Sequence, residues 1–341
     1  MRRTTIEDVA RMAGVGKVTV SYVLNGRSES ARISSGTAEK VLNAARELNY
    51  RPNALARMLV TKQTQTLAVV FQYGDYFSAW SSFTNEVMRG VCEAAVASGY
   101  DLMLHTKPVA NAECEADNLV DGRVEGALIL RDQDDPTLKH LLDRDFPCVQ
   151  FFTRSDDPRA AWVDADNYAG GRMATRHLLE LGHRRIAMLH GSPGSVASND
   201  RYNGYRDALE SAGIPLEPRF VLQAPELSSS FEPVQRMFEG PERPTAVFVW
   251  SDDTAFLVLD VLRSMGLSVP NDVSVVGFDS LERCETTHPP LTSVRQPVRE
   301  MAVRATVLLT DLLRGKQPEQ KQILYPLCLD LRSSTAPPRR Q

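Results

Sequence analysis

Residues 4–25, TTIEDVARMAGVGKVTVSYVLN, constrain the chain most tightly, because they accommodate two short helices joined by one tight turn. Thr5 followed by Asp8 has the spacing of a capping box, in which a hydroxyl and a carboxylate satisfy backbone N–H groups reciprocally. Ile6, Val9, Ala10 and Ala13 fall on one helical face. Gly14 stops this first helix, since glycine turns left-handed without a steric penalty. A second helix then starts near Gly16 or Lys17 and buries Val20, Val23 and Leu24 against the first. Lys17, Val18, Ser21 and Tyr22 are left facing outward near its start, where a recognition helix meets base edges in a major groove. The competing reading is a plain helical hairpin capping a larger domain.

The next forty residues favour the DNA reader. A third helix is predicted over about 34–49, with Val41, Leu42, Ala45 and Leu48 as its buried stripe, after a polar loop at 26–33. Residues 1–62 carry eleven Lys/Arg against five Asp/Glu, a net +6 that leaves −10 for the rest of a chain whose overall charge is −4. A basic head on an acidic body is the electrostatic footprint of a DNA reader joined to a part that does not touch DNA.

The motifs Thr5-Ile6-Glu7-Asp8-Val9-Ala10, Thr19-Val20-Ser21, Val23-Leu24-Asn25-Gly26 and Tyr50-Arg51-Pro52-Asn53 resemble the lactose/galactose repressor (LacI/GalR) family. Further along, Leu181-Gly182-His183-Arg184-Arg185-Ile186-Ala187, Val275-Val276-Gly277-Phe278-Asp279 and Pro289-Pro290-Leu291-Thr292 resemble its body signatures. The resemblance thus covers nearly all 341 residues. It implies an all-α helix-turn-helix head and an α/β body of two doubly wound lobes, like periplasmic sugar-binding proteins. His183 resembles a structural residue of the family at a helix end.

Strand–helix alternation begins at Leu67. The apolar runs 67–71, 100–104, 126–130 and 147–152 read as buried parallel strands, with helices near 83–98, 111–121 and 136–143. A second series has strands at 185–190, near 219–222, 245–250 and 273–278, and helices near 168–182, 199–213, 230–239 and 253–265. Two such sets place ligands at the carboxyl ends of the strands and in the cleft between lobes. Residues 289–294 are expected to cross back, and a helix over 298–314 to rejoin the first lobe. The resulting division is a DNA-binding domain at 1–50 and a hinge helix and linker at 51–62. A body occupies 63–332, with one lobe at about 63–163 and 295–325 and the other at about 164–290 and 326–332. The Pro/Ser/Arg-rich segment 333–341 is expected to be a disordered tail without the leucine heptads of a tetramer.

On the DNA side, Lys17 can donate to guanine and Val18 can pack on a thymine methyl. Tyr22 stands where many family members have arginine, so one hydrogen bond and apolar contact replace a bidentate fork. Thr5, Thr19, Ser21, Asn25 and Tyr50 are candidates for phosphate contacts that set register, or else ordinary caps and core hydroxyls. The family resemblance makes residues 53–59 a hinge helix that orders on binding, capped by Asn53. It implies that Leu59 wedges into the minor groove while Ala56 permits close pairing of two protomers; the alternative packs Leu59 against its own lobe.

On the ligand side, the resemblance assigns Arg201, Ser251, Asp252 and Asp279 to the cleft. Charged groups there suit sugar hydroxyls. Asp252 has an equally good reading as a helix cap. Tyr73, Tyr76, Phe77, Trp80, Phe152 and Trp250 gather at strand ends, where aromatic faces stack on sugar rings; Phe151 or Phe152 must be core, since neighbours on a strand face opposite ways.

The five scattered cysteines and six histidines show no metal spacing, and 191–195, GSPGS, matches no nucleotide or nucleophile motif. No metal and no cofactor are expected. Without an apolar leader or membrane-length run, a cytoplasmic protein is expected. The expectation is a sequence-specific transcriptional regulator, a homodimeric repressor of carbohydrate-use genes on a pseudo-palindromic operator, controlled by a sugar-like effector. A non-regulatory sugar-binding protein and a Rossmann-type enzyme are the alternatives.

Overall fold

The computed structural model describes residues 4–24, 26, 28–51, 63–71, 81–106, 111–131, 135–223 and 231–339. Contacts divide the chain into two units, Met1–Thr64 and Gln65–Gln341.

The first unit is built on helices α1 (Ile6–Ala13), α2 (Lys17–Leu24) and α3 (Ser35–Glu47). Thr5 and Asp8 form the predicted capping box, and Gly14 ends α1 at φ 67°. Val9, Ala10, Val20, Val23, Val41, Ala44 and Ala45 make a small core, with Ile6, Ala13, Leu24, Leu48 and Tyr50 packed against it. Leu42, expected in the buried stripe, is instead 40% exposed. At 3.6 residues per turn, positions 41, 44, 45 and 48 share a face, and 42 lies about 100° away. Ala44 takes its place. Asn25 and the whole predicted hinge helix, including Asn53, Ala56 and Leu59, lie outside the described residues.

The second unit contains two six-stranded sheets of matching order. In the first lobe, β1 (Thr66–Phe71), β2 (Asp101–Leu104), β3 (Gly126–Leu130), β4 (Cys148–Phe151), β5 (Ala161–Ala165) and β11 (Gln322–Tyr325) run in the order β2-β1-β3-β4-β5-β11. In the second, β6 (Ile186–His190), β7 (Val221–Gln223), β8 (Ala246–Val249), β9 (Ser274–Asp279), β10 (Thr292–Arg295) and β12 (Cys328–Asp330) run β7-β6-β8-β9-β10-β12. Every pairing is parallel except β10 with β12.

Helices α4 (Ser82–Ser98), α5 (Ala112–Leu119), α6 (Thr137–Leu142) and the late α11 (Val298–Leu313) serve the first lobe. Helices α7 (Asn167–Glu180), α8 (Val196–Ser211), α9 (Glu232–Met237) and α10 (Asp252–Ser264) serve the second. Met301, Ala302, Ala305, Leu308 and Leu309 of α11 pack with Leu67, Val69, Leu128 and Val149, so this helix does return to the first lobe.

Two expectations are corrected. Residues 289–294 do not carry the chain across: Thr292–Arg295 is a strand paired with β9, so the chain leaves the second lobe after Arg295. The stretch is short and begins after two prolines, which masked its strand character. Nor is 333–339 a disordered tail. Ser334 is fully buried, its hydroxyl donates to the Val275 carbonyl at 2.6 Å, and it accepts the Thr292 N–H at 2.8 Å. Ala336 accepts from the buried His183 ring at 2.9 Å and donates its N–H to Ser274 at 3.0 Å. A polar, proline-rich segment stays ordered here because partner groups on the sheet satisfy its backbone. Arg340 and Gln341 lie outside the described residues.

Candidate functional site

In the first unit, α2 presents Lys17, Val18 and Tyr22 to solvent, with Val18 67% exposed. Their position on one short helix results from burial of Val20 and Val23 on the other side. Lys17 is held by an ion pair to Glu7 of α1, and that ammonium lowers the Glu7 carboxyl below its usual range. Thr19 and Ser21 are half-buried on α2. Thr5 is the α1 cap, its hydroxyl also donating to Asp8 at 2.8 Å. Tyr50 packs against the head core.

In the second unit, the charged centre is Arg201 on α8. Its backbone is seated against α7 because Gly171 and Gly204 face each other's helices: a Cβ at Gly171 would lie 2.2 Å from the Arg201 carbonyl oxygen. The side chain is 4% exposed, and every nitrogen is engaged. Nε donates to Asn167 Oδ1 at 2.9 Å, Nη1 to the Trp250 carbonyl, and Nη2 to Gln296 Oε1 at 3.4 Å. The guanidinium lies 3.5 Å from the Phe278 ring centroid. Asp279, at the end of β9, has one carboxylate oxygen 3.9 Å from Nη2, beyond hydrogen-bond range. That oxygen is buried and has no hydrogen-bond partner among the described residues. Burial pushes the Asp279 carboxyl well above its ordinary range, against the opposing pull of Arg201. Asp279 at φ 109° and Ser280 at φ 53° are both left-handed, a strained geometry typical of sites that must present a side chain.

The neighbouring acids behave differently. Ser251 is the α10 cap, accepting the Thr254 N–H at 3.3 Å. Asp252 is fully buried and faces inward: it accepts from Leu281 N–H at 2.8 Å, Cys284 Sγ at 3.0 Å and Ser293 Oγ at 2.6 Å. Its carboxyl is pushed up to about 6 by burial. Neither of the two readings of Asp252 from sequence is right: the cap is one residue earlier, and the carboxylate ties β10 and the 281–284 turn to α10. Phe152 is likewise corrected from a cleft surface to core. It is 7% exposed, with Phe83 at 5.0 Å and Phe151 at 5.4 Å between ring centroids, and its φ of 57° turns the chain as it leaves β4. Trp250 is half-buried at the end of β8, its indole N–H donating to Thr254 at 3.1 Å. Tyr73, Tyr76, Phe77 and Trp80 lie outside the described residues.

Sequence reasoning passed over several groups here. Asn167 and Gln296 position Arg201, and each sits where the chain passes between lobes. Ser198, on the Arg201 helix, and Thr153, next to Phe152, are buried with hydroxyls unpartnered among the described residues. Arg154 joins Asp164 of β5 at 2.9 Å to Asp200 of α8 at 2.6 Å, linking the two lobes. A cavity of about 360 Å³ adjoins it, lined in part by Arg154, Trp162, Asp166, Tyr168 and Asp200. None of the predicted effector residues that are described lines this cavity. Among the described residues no group of side chains is arranged to hold a metal ion, and no helix is long and apolar enough to cross a membrane.

A helix-turn-helix unit with an exposed second helix, joined to a two-lobed α/β body with buried charge at its strand ends, defines a DNA-binding regulator with a ligand-binding body. Residues 5–53 match the family described as bacterial regulatory proteins, lacI family, and residues 175–335 match a periplasmic binding protein-like domain. The chain is 36% identical over 338 residues to the HTH-type transcriptional regulator CelR of Thermobifida fusca, covering 98% of both chains. It is 33% identical to the HTH-type transcriptional repressor PurR of Vibrio parahaemolyticus, covering 93% of this chain and 94% of that one. Among solved structures it is similar to a CelR–cellobiose complex (35% identity, TM-score 0.71, 97% of this chain and 100% of that one). It is also similar to the Lac repressor dimer bound to operator and the anti-inducer ONPF (27% identity, TM-score 0.84, 98% and 100%). The chain belongs to the lacI family of bacterial regulatory proteins. It is a transcriptional regulator, not an enzyme.

Proposed function

We propose that this regulator is a cytoplasmic homodimeric repressor of carbohydrate-use genes, released from or retained on its operator by a sugar bound between the lobes. The unpartnered Asp279 oxygen beside Arg201 carries the ligand half of this reading, because a buried acceptor without a donor is costly until a ligand hydroxyl supplies one. Ser198, Thr153 and the half-buried Trp250 would complete a polar site with an aromatic wall. The CelR relative, solved with cellobiose, makes that disaccharide the first probe. For DNA, Lys17, Val18 and Tyr22 would read base edges. Thr5, Thr19, Ser21, Asn25 and Tyr50 would contact phosphates, and Asn53, Ala56 and Leu59 would form the minor-groove hinge.

Two measurements test it. A thermal-shift series with cellobiose, other sugars and sugar phosphates should show saturable stabilisation by at least one; a flat response across the series rejects the sugar reading. Selection from random duplexes should return an inverted repeat whose binding falls steeply with salt, as counterion release demands. Recovery of no inverted repeat would reject the dimeric operator.

A further inference from the structure

Adjacent acids at the start of α10 have opposite assignments. Asp252 turns into its own lobe. Asp253, about 100° further round the helix, reaches the other lobe: Oδ1 accepts the Ser82 N–H at 3.3 Å and Oδ2 the Phe83 N–H at 3.4 Å. These are first-turn amides of α4, where a helix has N–H groups with no partner of its own. The α4 cap, Ser81, accepts the N–H of Thr84 instead, at 3.2 Å. The carboxylate from the second lobe therefore completes the N-terminus of a first-lobe helix, at the end where the helix dipole favours an anion. Asp252 reinforces the arrangement. By holding the Leu281 N–H it fixes a turn whose leucine side chain is buried in the first lobe's core with Phe152 and Val298. Arg154 and Asp200 supply a second bridge elsewhere along the lobe boundary.

We infer that Asp253 is an interlobe clasp, a positioning residue that holds the body closed by capping α4 across the cleft and so sets how readily the body opens to its effector. Both sides of the contact belong to this chain, so its effect on the body can be read without added ligand. A ligand shifts this equilibrium only through its different affinity for the closed and open forms, and the clasp determines where that equilibrium starts.

The test uses the full chain and compares wild type, Asp253→Ala, Ser82→Pro and the double variant. Ser82 is the first residue of α4, where proline removes one N–H without breaking the helix, and the extended Ser81 (φ −83°, ψ 94°) lies outside the α region that a following proline disfavours. Without ligand, Asp253→Ala should speed amide exchange at Phe83 by about tenfold and increase the radius of gyration in solution scattering. Ser82→Pro should move both in the same direction by less, and the double variant should fall short of the sum, as expected for two halves of one contact. With cellobiose as probe, Asp253→Ala should weaken binding by about tenfold, because closure then has to be driven by the ligand alone. A folded Asp253→Ala protein with unchanged Phe83 exchange and unchanged dimensions overturns the clasp, as does strict additivity in the double variant. If Asp253→Ala does not fold, Ser82→Pro decides alone, and unchanged dimensions there overturn it. If wild type fails to bind cellobiose, the choice of effector falls, while the ligand-free arms still judge the clasp.

Discussion

The two lobes share one strand order and differ in the direction of the sixth strand and in the chemistry at their facing ends. In the first lobe β11 runs parallel to β5; in the second β12 runs antiparallel to β10. The cause is the short link between them. β11 leaves its sheet at the carboxyl end, and only residues 326–327 separate it from β12. A chain passing directly between facing carboxyl ends must enter the second sheet from that end and run backwards. The chemical difference is sharper. Phe71, Phe151, Phe152 and Phe83 gather at the strand ends of the first lobe. The second supplies Arg201, Asp252, Asp253 and Asp279. One topology thus supports a jaw dominated by aromatic rings, with Arg154 and Asp164 as charges of its own, and a charged jaw, and closure surrounds the charges with low-dielectric walls that strengthen each polar contact.

The largest effect expected from breaking this asymmetry is at Arg201. Arg201→Ala leaves Asp279 as a buried charge without its nearest cation and should lower body stability by about 3–5 kcal/mol in chemical denaturation, with loss of effector response. Arg201→Lys should fare little better, since one ammonium cannot replace a fork that reaches Asn167, Trp250 and Gln296 together. A folded Arg201→Ala protein that keeps wild-type stability and effector response would remove the charged jaw from the site.

Asp252→Ala comes next. It strands the Leu281 N–H and the Ser293 hydroxyl, at about 1–3 kcal/mol for each buried donor left unpaired, and should show as a lowered denaturation midpoint. The same residue gives the second lobe a pH signature. The folded Asp252 carboxyl titrates at about 6, above its unfolded range, so between those values the native state retains a proton that the unfolded chain has released. Its contribution to stability is therefore complete at acid pH and is lost as pH rises through about 6. Asp252→Asn should flatten that part of the stability–pH curve relative to wild type; coincident slopes would contradict the shift.

On the aromatic jaw the expected change is smallest. Phe152→Leu keeps a core hydrophobe and should cost less than about 1.5 kcal/mol. It should leave effector affinity within a few-fold, because the ring packs on Phe83 and Phe151 rather than presenting a free face. A large loss of effector binding without loss of stability would restore Phe152 to the ligand surface.

Much of this architecture is written in local pattern. The capping box at Thr5 and Asp8, the stop at Gly14, the parallel-strand runs such as 126–130 and the helix at 298–313 arise from periodicity and capping chemistry that act over a few residues. Strands β5, β11 and β12 did not stand out: Asp164 interrupts the apolar run of β5, and β11 and β12 are short, half-exposed edge strands without a continuous apolar run. The family resemblance, not local pattern, pointed to Arg201 and Asp279, which the body brings to within 3.9 Å of each other. What periodicity could not decide was where neighbouring side chains point. Whether Asp252 faces a ligand, caps a helix or ties down a loop depends on its rotation about α10 and on Gly277, which leaves room for its carboxylate. Whether Asp253 is a solvated charge or a bond between lobes depends on α4, far away in sequence. The order of the 333–339 segment depends on hydroxyls and carbonyls contributed by β9 and β10. Local preferences determine most of the helices and the buried strands; contacts between residues distant in the chain decide where the short edge strands pair, which polar groups are satisfied, and which join the two lobes.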